Sequence, residues 1–222
     1  MTKRADIIDN TDRYITREIR SGLIYTENLG WIDLGHANPS GAERLWHQME
    51  MPCGGNNQYF EVNYYQDMKK GIYGINAVTG IYRRFLVRRG LNDRDLKGVA
   101  LSIFMGTSRR FETLQDFWPY VLVTDSGFSA EDLVSNLFGF YQAVDCTDYT
   151  PFLDICPKEK AYRIWDYYGP VGQFKNKSVF PLLFPDPIDN KVKCQPYTGH
   201  LPAFMSTISP MANPEWIREI FS

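Results

Sequence analysis

Residues 93–117 read DRDLKGVALSIFMGTSRRFETLQDF, and the fold class turns on this stretch. Leu96, Ala100, Ile103, Thr107, Phe111 and Leu114 recur at three- and four-residue steps that continue to Trp118, the spacing of one helical face. A second row, Leu101, Met105, Ser108 and Glu112, runs beside the first. The N-terminal half is therefore apolar around most of its circumference, as in a helix with neighbours on several sides. Pro119 stops it. The spacing predicts a central helix, and with it a helix-dominated α+β fold.

Further helices follow outward from this one. Ser129, with Asp132 three residues on, resembles a capping box that opens a helix burying Leu133, Leu137, Phe140 and Val144. Residues 157–168 pack through Ala161, Ile164, Trp165 and Tyr168, and Gly169 caps them. On the other side, Asn38-Pro39 is a start signal for a helix that buries Ala42, Leu45, Trp46 and Met49. Residues 5–21 read as an amphipathic helix on Ile7, Ile8, Tyr14, Ile15 and Ile19. Residues 76–89 also read as helical, with Val78, Tyr82, Phe85 and Leu86 inward. Arg83, Arg84, Arg88 and Arg89 then form either a solvated face or a holder for an anion.

Strands are fewer. Residues 23–26 form a short apolar run, and residues 58–68 alternate, Phe60, Val62 and Tyr64 against Glu61, Asn63 and Tyr65. These suggest a small antiparallel sheet. From about residue 170 to 222 the chain is rich in proline and reads as an extended arm packed on the rest, with a strand near 179–184 and a terminal helix opened by Asn213-Pro214. No linker or repeat interrupts the sequence, so a single domain, 1–222, is expected.

A net charge of −2 offers no field to recruit nucleic acid, and no apolar run approaches the roughly 18 residues of a membrane span. The first twenty residues lack the apolar core and cleavage site of a Sec signal peptide. The expectation is a cytoplasmic protein as synthesised, a protein exported without an N-terminal signal, or a mature chain lacking its leader. Cys53, Cys146, Cys156 and Cys194 have no zinc-site spacing. They read as scattered thiols, or, in an oxidising compartment, as a Cys146–Cys156 pair across a short loop.

The familiar dinucleotide, P-loop, zincin and nucleophile-elbow motifs are absent, and three histidines argue against a histidine-rich metal centre. The densest signal is Gly30-Trp31-Ile32-Asp33-Leu34-Gly35-His36. An acid and an imidazole three residues apart could orient one another for acid–base work, supply two ligands to one divalent metal, or form a buried structural turn. Glu112 ends the second helical row, where burial would raise its pKa and suit it to a general acid; the alternative is a salt bridge with Arg109 or Arg110. Glu131 and Asp132 complement a helix N-terminus. Asn136 lies beside the apolar stripe of its helix and either braces a core network or orients a catalytic group.

Several of these segments together resemble an uncharacterised bacterial domain family. They are Tyr25-Thr26, the glycine-flanked stretch ending in His36, Arg110-Phe111-Glu112, the run from Phe128 and Ser129 through Glu131-Asp132 to Ser135-Asn136, and Asn176-Lys177-Ser178 leading to Pro181 and Pro185. The likeness covers residues 22–185. It implies a bacterial origin and one domain, points to the cell envelope or to secreted antibacterial effectors, and supplies no reaction.

The leading expectation is a hydrolase of an envelope polymer, peptidoglycan first, that needs no cofactor. Glu112 would be the general acid, Asp33 or Glu131 the second carboxylate, and His36 the orienting or water-activating group. Tyr59 and Tyr65 would stack on sugar rings and Asn136 would contact substrate. One rival is a metal-dependent hydrolase with Asp33 and His36 as ligands. The other is a binding protein without catalysis whose partner is an inhibitor or the secretion machinery.

Overall fold

The computed structural model describes residues 2–9, 21–55, 57–72, 75–115, 128–189 and 193–220. In chain order the elements are β1 (Leu23–Thr26), β2 (Gly30–Asp33), α1 (Ser40–Glu50), β3 (Tyr59–Ile72), β4 (Ile75–Arg88), α2 (Asp93–Gln115), α3 (Asp132–Val144), α4 (Lys158–Tyr168), β5 (Leu182–Leu183), β6 (Tyr197–Thr198) and β7 (Ile217–Ile220). Helix outweighs strand, and every sheet pairing is antiparallel, in the orders β1-β2, β3-β4-β7 and β5-β6. The fold is helix-leaning α+β. The chain divides into two compact units, residues 1–39 with 112–207 and residues 40–111 with 208–222. Both are discontinuous in sequence, and α2 passes from the second into the first at Glu112.

In the first unit, β1 and β2 form a hairpin whose turn is held by Thr26: its Oγ1 donates to the Gly30 carbonyl (3.1 Å) and accepts from the Leu29 amide (3.0 Å). Tyr25 and Trp31 meet edge to face at 5.1 Å, and Trp31 meets Trp165 of α4 at 5.8 Å. Leu23, Ile164, Val171 and Phe184 complete this core. The Tyr25 hydroxyl donates to the Phe184 carbonyl and accepts from its amide, both at 2.8 Å, which fixes the proline-rich segment to β1. Gly30 sits at φ +67, and a side chain there would lie 2.2 Å from the Leu182 carbonyl. Only glycine permits that approach of β5 to β2.

Every residue of α3 is buried. Its apolar rows explain most of this, and Gly139 explains the rest: a Cβ there would stand 2.7 Å from the Ala37 carbonyl, so the backbone after β2 lies directly on the helix.

In the second unit, α1 buries Ala42, Leu45, Trp46 and Met49, the face its periodicity predicts. It is tied to β3 by Gln48, whose side chain donates to the Asn63 carbonyl and accepts from the Asn63 amide, each at 2.9 Å. Phe60, Val62 and Tyr64 are buried and Glu61 is exposed, so the alternation of β3 holds. On α2, Ala100, Ile103, Thr107 and Phe111 are buried, as are Leu101, Met105 and Ser108 of the second row.

The structure corrects four expectations. Residues 76–89 are not a helix but β4, paired along its whole length with β3. Phe85 and Val87 point inward at strand spacing, while Tyr82 is exposed opposite Tyr65. Ile81, Tyr82, Phe85 and Val87 suit a pleated surface, and a long partner strand outweighs the helical spacing of the arginines. Those arginines are dispersed rather than gathered on an anion. Arg83 forks onto Glu219 at 2.7 Å twice, Arg84 onto Glu61 at 2.9 and 3.0 Å, and Arg89 reaches the carbonyls of Cys53 and Gly54.

The C-terminal segment after Asn213-Pro214 is β7, not a helix. Asn213 makes one turn, accepting from the Trp216 and Ile217 amides, and the chain then pairs with the open edge of β4. The described part of the expected 5–21 helix is a single 3₁₀ turn, Arg4–Asp6, followed by Ile7 bridged to Leu23. Residues 10–20 lie outside the described residues, as do Phe117, Trp118 and Pro119. Cys146 and Cys156 are free thiols. The Cys156 sulfur donates to Glu27 at 3.1 Å, and burial pushes its thiol up to about 12.

The arm contributes to both units. Phe184 and Met205 are buried, Phe204 stacks on Tyr149 at 4.2 Å, and β7 completes the three-stranded sheet. At about 25 cal/mol per Å² such burial amounts to several kcal/mol. Removing residues 178–222 is expected to give insoluble or molten protein, checked by calorimetry; a sharp transition near that of the full chain would refute the assignment.

Candidate active site

The turn after β2 and the first two turns of α3 build the site. The Asp33 carboxylate closes the turn by accepting from the amides of Gly35 (2.7 Å) and His36 (3.1 Å). The Asp33 amide donates to Ser135 Oγ at 3.0 Å. His36 Nδ1 lies 3.3 Å from Asn136 Nδ2 and 3.9 Å from Asp132 Oδ1. Asp132, Ser135, Asn136 and Gly139 are spaced i, i+3, i+4 and i+7, so one face of α3 carries three polar groups and a gap. The turn from Asp33 to Ala37 lies along that face.

Glu112 and Glu131 complete the cluster. Glu112 is fully buried, and its Oε2 accepts from the Phe128 amide at 3.2 Å. Phe128 adopts φ +54, a left-handed conformation that costs a non-glycine residue on the order of 1 kcal/mol and is retained only where its surroundings demand it. The Asn176 amide donates to the Phe128 carbonyl at 2.8 Å, which gives the Asn176-Lys177-Ser178 motif its place. The Asp132 carboxylate accepts from the Ser129 amide at 2.7 Å and neighbours Glu112; α3 opens at Asp132 with Glu131 before it, so Ser129 does not cap the helix as its spacing suggests. Glu131 precedes α3 and is 2% exposed; its Oε1 accepts from the Thr2 hydroxyl at 3.2 Å.

Four carboxylates thus gather near one imidazole; Glu112, Glu131 and Asp132 are buried, with little water to share their charge, and Asp33 is half-buried. Glu131 is pushed up to about 7, first by burial and then by the Asp33 carboxylate. Asp132 is held well above the usual range by burial and by Glu112 and Glu131. For His36, burial favours the neutral ring, but Asp33, Glu112 and Glu131 outweigh it and raise its pKa. The His36 side chain keeps 27% of its surface exposed, against 8% for Asp132. His36 is therefore more open to solvent than Asp132, with Nδ1 turned to α3.

These shifts fix the pH dependence of folding. Glu131 and Asp132 keep a proton in the folded state that the unfolded chain releases near pH 4 to 4.5, so stability falls as pH rises from there through their raised values. The His36 contribution is complete below its ordinary value and fades as pH passes the raised one. The depressed acids Glu61, Asp166, Asp186 and Glu219 act only below about pH 4.5, where protonation removes their stabilisation. Melts should therefore show a higher transition at about pH 5.5 than at about pH 8, with Glu131 alone contributing about 2 kcal/mol. Glu131→Gln should flatten that slope; a wild-type transition that rises toward pH 8 would contradict the cluster.

Of the expected site residues, Asp33, His36, Glu112, Glu131 and Asn136 come together in the first unit. Tyr59 and Tyr65 belong to the second. The Tyr59 hydroxyl donates to the Glu215 carbonyl (3.0 Å), and Tyr65 lies under Arg44. The sequence reading missed Asp132, Ser135 and Thr2 as members of the cluster. Asp132 and Ser135 were legible as part of the polar i, i+3, i+4, i+7 face, whereas Thr2 carried no local signal. Among the described residues no group of three or more His, Cys, Asp or Glu side chains could hold a metal ion, and no helix is long and apolar enough to cross a membrane. No family model, curated protein or solved structure matches the chain.

Proposed function

We propose that the chain is a hydrolase whose acid–base group is His36, backed by Asp33, Glu112, Glu131 and Asp132. The observation that supports this reading is a partly exposed imidazole set against a cluster of carboxylates, of which Glu131 and Asp132 are held above the usual range by burial. Imidazolium Nε2–H would protonate the leaving atom of the substrate. The neutral ring would then take a proton from the water that attacks the electrophilic carbon, which restores the imidazolium and leaves both products protonated. Asp33, Glu112 and Glu131 favour the charged ring against the burial that opposes it. Glu112 sits too deep to touch a polymer, so its role in this scheme is to set the charge of the site rather than to protonate substrate directly.

The substrate put forward is a polymer of the bacterial envelope, peptidoglycan first, on the strength of the motif resemblance and the acid–base character of the site. The test is release of soluble fragments from purified peptidoglycan by the wild type and by His36 variants.

A further inference from the structure

We infer that Asp132 is the charge partner of His36: Asn136 holds the resting neutral ring, protonated on Nε2, and Asp132 takes the Nδ1 hydrogen of the cationic ring and keeps it while Nε2 gives up and regains its proton. This rests on the acid–base reading of the site. The Asn136 amide nitrogen, 3.3 Å from Nδ1, can only donate there, which requires Nδ1 to be unprotonated and places the single proton of the neutral ring on Nε2. Protonation puts a hydrogen on Nδ1 and turns the Asn136 contact from attractive to repulsive. Asp132 Oδ1 stands 3.9 Å from Nδ1, within the reach of a small ring rotation.

Asp132 is prepared for this. Its other oxygen is fixed by the Ser129 amide at 2.7 Å, and it hydrogen-bonds with the Glu112 carboxyl group. Two neighbouring carboxylates in a buried site disfavour each other's charge, and a proton on His36 Nδ1 favours the charged form of Asp132. The carboxylates that most raise the pKa of the ring as it stands are Asp33, Glu112 and Glu131, but the Asp33 carboxylate is engaged by the Gly35 and His36 amides, Glu112 by the Phe128 amide and Glu131 by Thr2. Asp132 and Asn136 lie one helical turn apart on α3, so a single rigid element offers the ring both partners. Asp132 is a positioning residue in this scheme, acting on substrate only through His36.

The experiment is nitrogen-15 NMR of the histidine side chains in the full-length protein across a pH titration, with His36 assigned from the spectrum lost in His36→Gln. Wild-type neutral His36 should be the Nε2–H tautomer. Asp132→Asn should lower the His36 midpoint by about one pH unit or more, and by more than Glu112→Gln lowers it. Asn136→Ala should mix the neutral tautomers. A neutral ring protonated on Nδ1 in the wild type, which needs no variant to fold, would overturn the inference. So would a midpoint that falls with Glu112→Gln and stays with Asp132→Asn. A protein that titrates as expected yet hydrolyses nothing would remove the proposed function and leave this inference standing.

Discussion

Gly30→Ala is expected to lower the thermal transition by 10 °C or more, or to leave no cooperative transition at all. Two costs combine. The left-handed backbone at φ +67 penalises any side chain by about 1 kcal/mol. The larger cost is steric, because the new methyl would stand 2.2 Å from the Leu182 carbonyl. A backbone atom cannot rotate away, so β5 would have to leave β2. The Phe184 contacts with Tyr25 follow β5, and the combined loss is about 4 kcal/mol, a large part of the stability of an ordinary domain. Gly90→Ala is the control. Gly90 has φ +78 with nothing within 4 Å of the added carbon, so only the backbone cost of about 1 kcal/mol remains. Calorimetry on the two variants separates the terms; equal transitions would show that β5 does not depend on Gly30.

The second large effect concerns chemistry. His36→Gln should reduce hydrolysis by about 10³-fold, since general acid–base groups contribute 10²- to 10⁴-fold. The melt should change little, because a quarter of the ring is solvent-exposed and glutamine can keep a polar contact with Asn136. Glu112→Gln should cost less, about 10-fold, because Glu112 acts on the ring through the charge of the site. A Glu112 variant more damaged than the His36 variant, with both folded, would reverse the roles of the two residues.

Much of this arrangement was legible in the sequence, for identifiable reasons. The burial of Glu112 could be read because three apolar or small residues precede it at helical steps on α2. The His36 turn was visible because Asp33 and His36 stand between glycines. The polar face Asp132, Ser135, Asn136 and Gly139 was equally readable, but the apolar rows of α3 drew attention away from it. What could not be read depends on distant partners. β4 carries residues that satisfy helical and strand spacing alike, and only the length of β3 opposite it decides between them. β7 becomes a strand because the edge of β4 is open to it, 130 residues earlier in the chain. Thr2 reaches Glu131 across 129 residues, and nothing local marks the contact.

The central claim is that His36 and its buried carboxylates hydrolyse an envelope polymer. The direct measurement is release of soluble fragments from purified peptidoglycan by the wild type and by His36→Gln, with a melt of each. The account predicts steady release by the wild type and a loss of about 10²-fold or more in the variant at an unchanged melting transition. A wild-type protein that releases nothing, with or without added divalent metal, or a folded His36→Gln variant that is as active as the wild type, would contradict it.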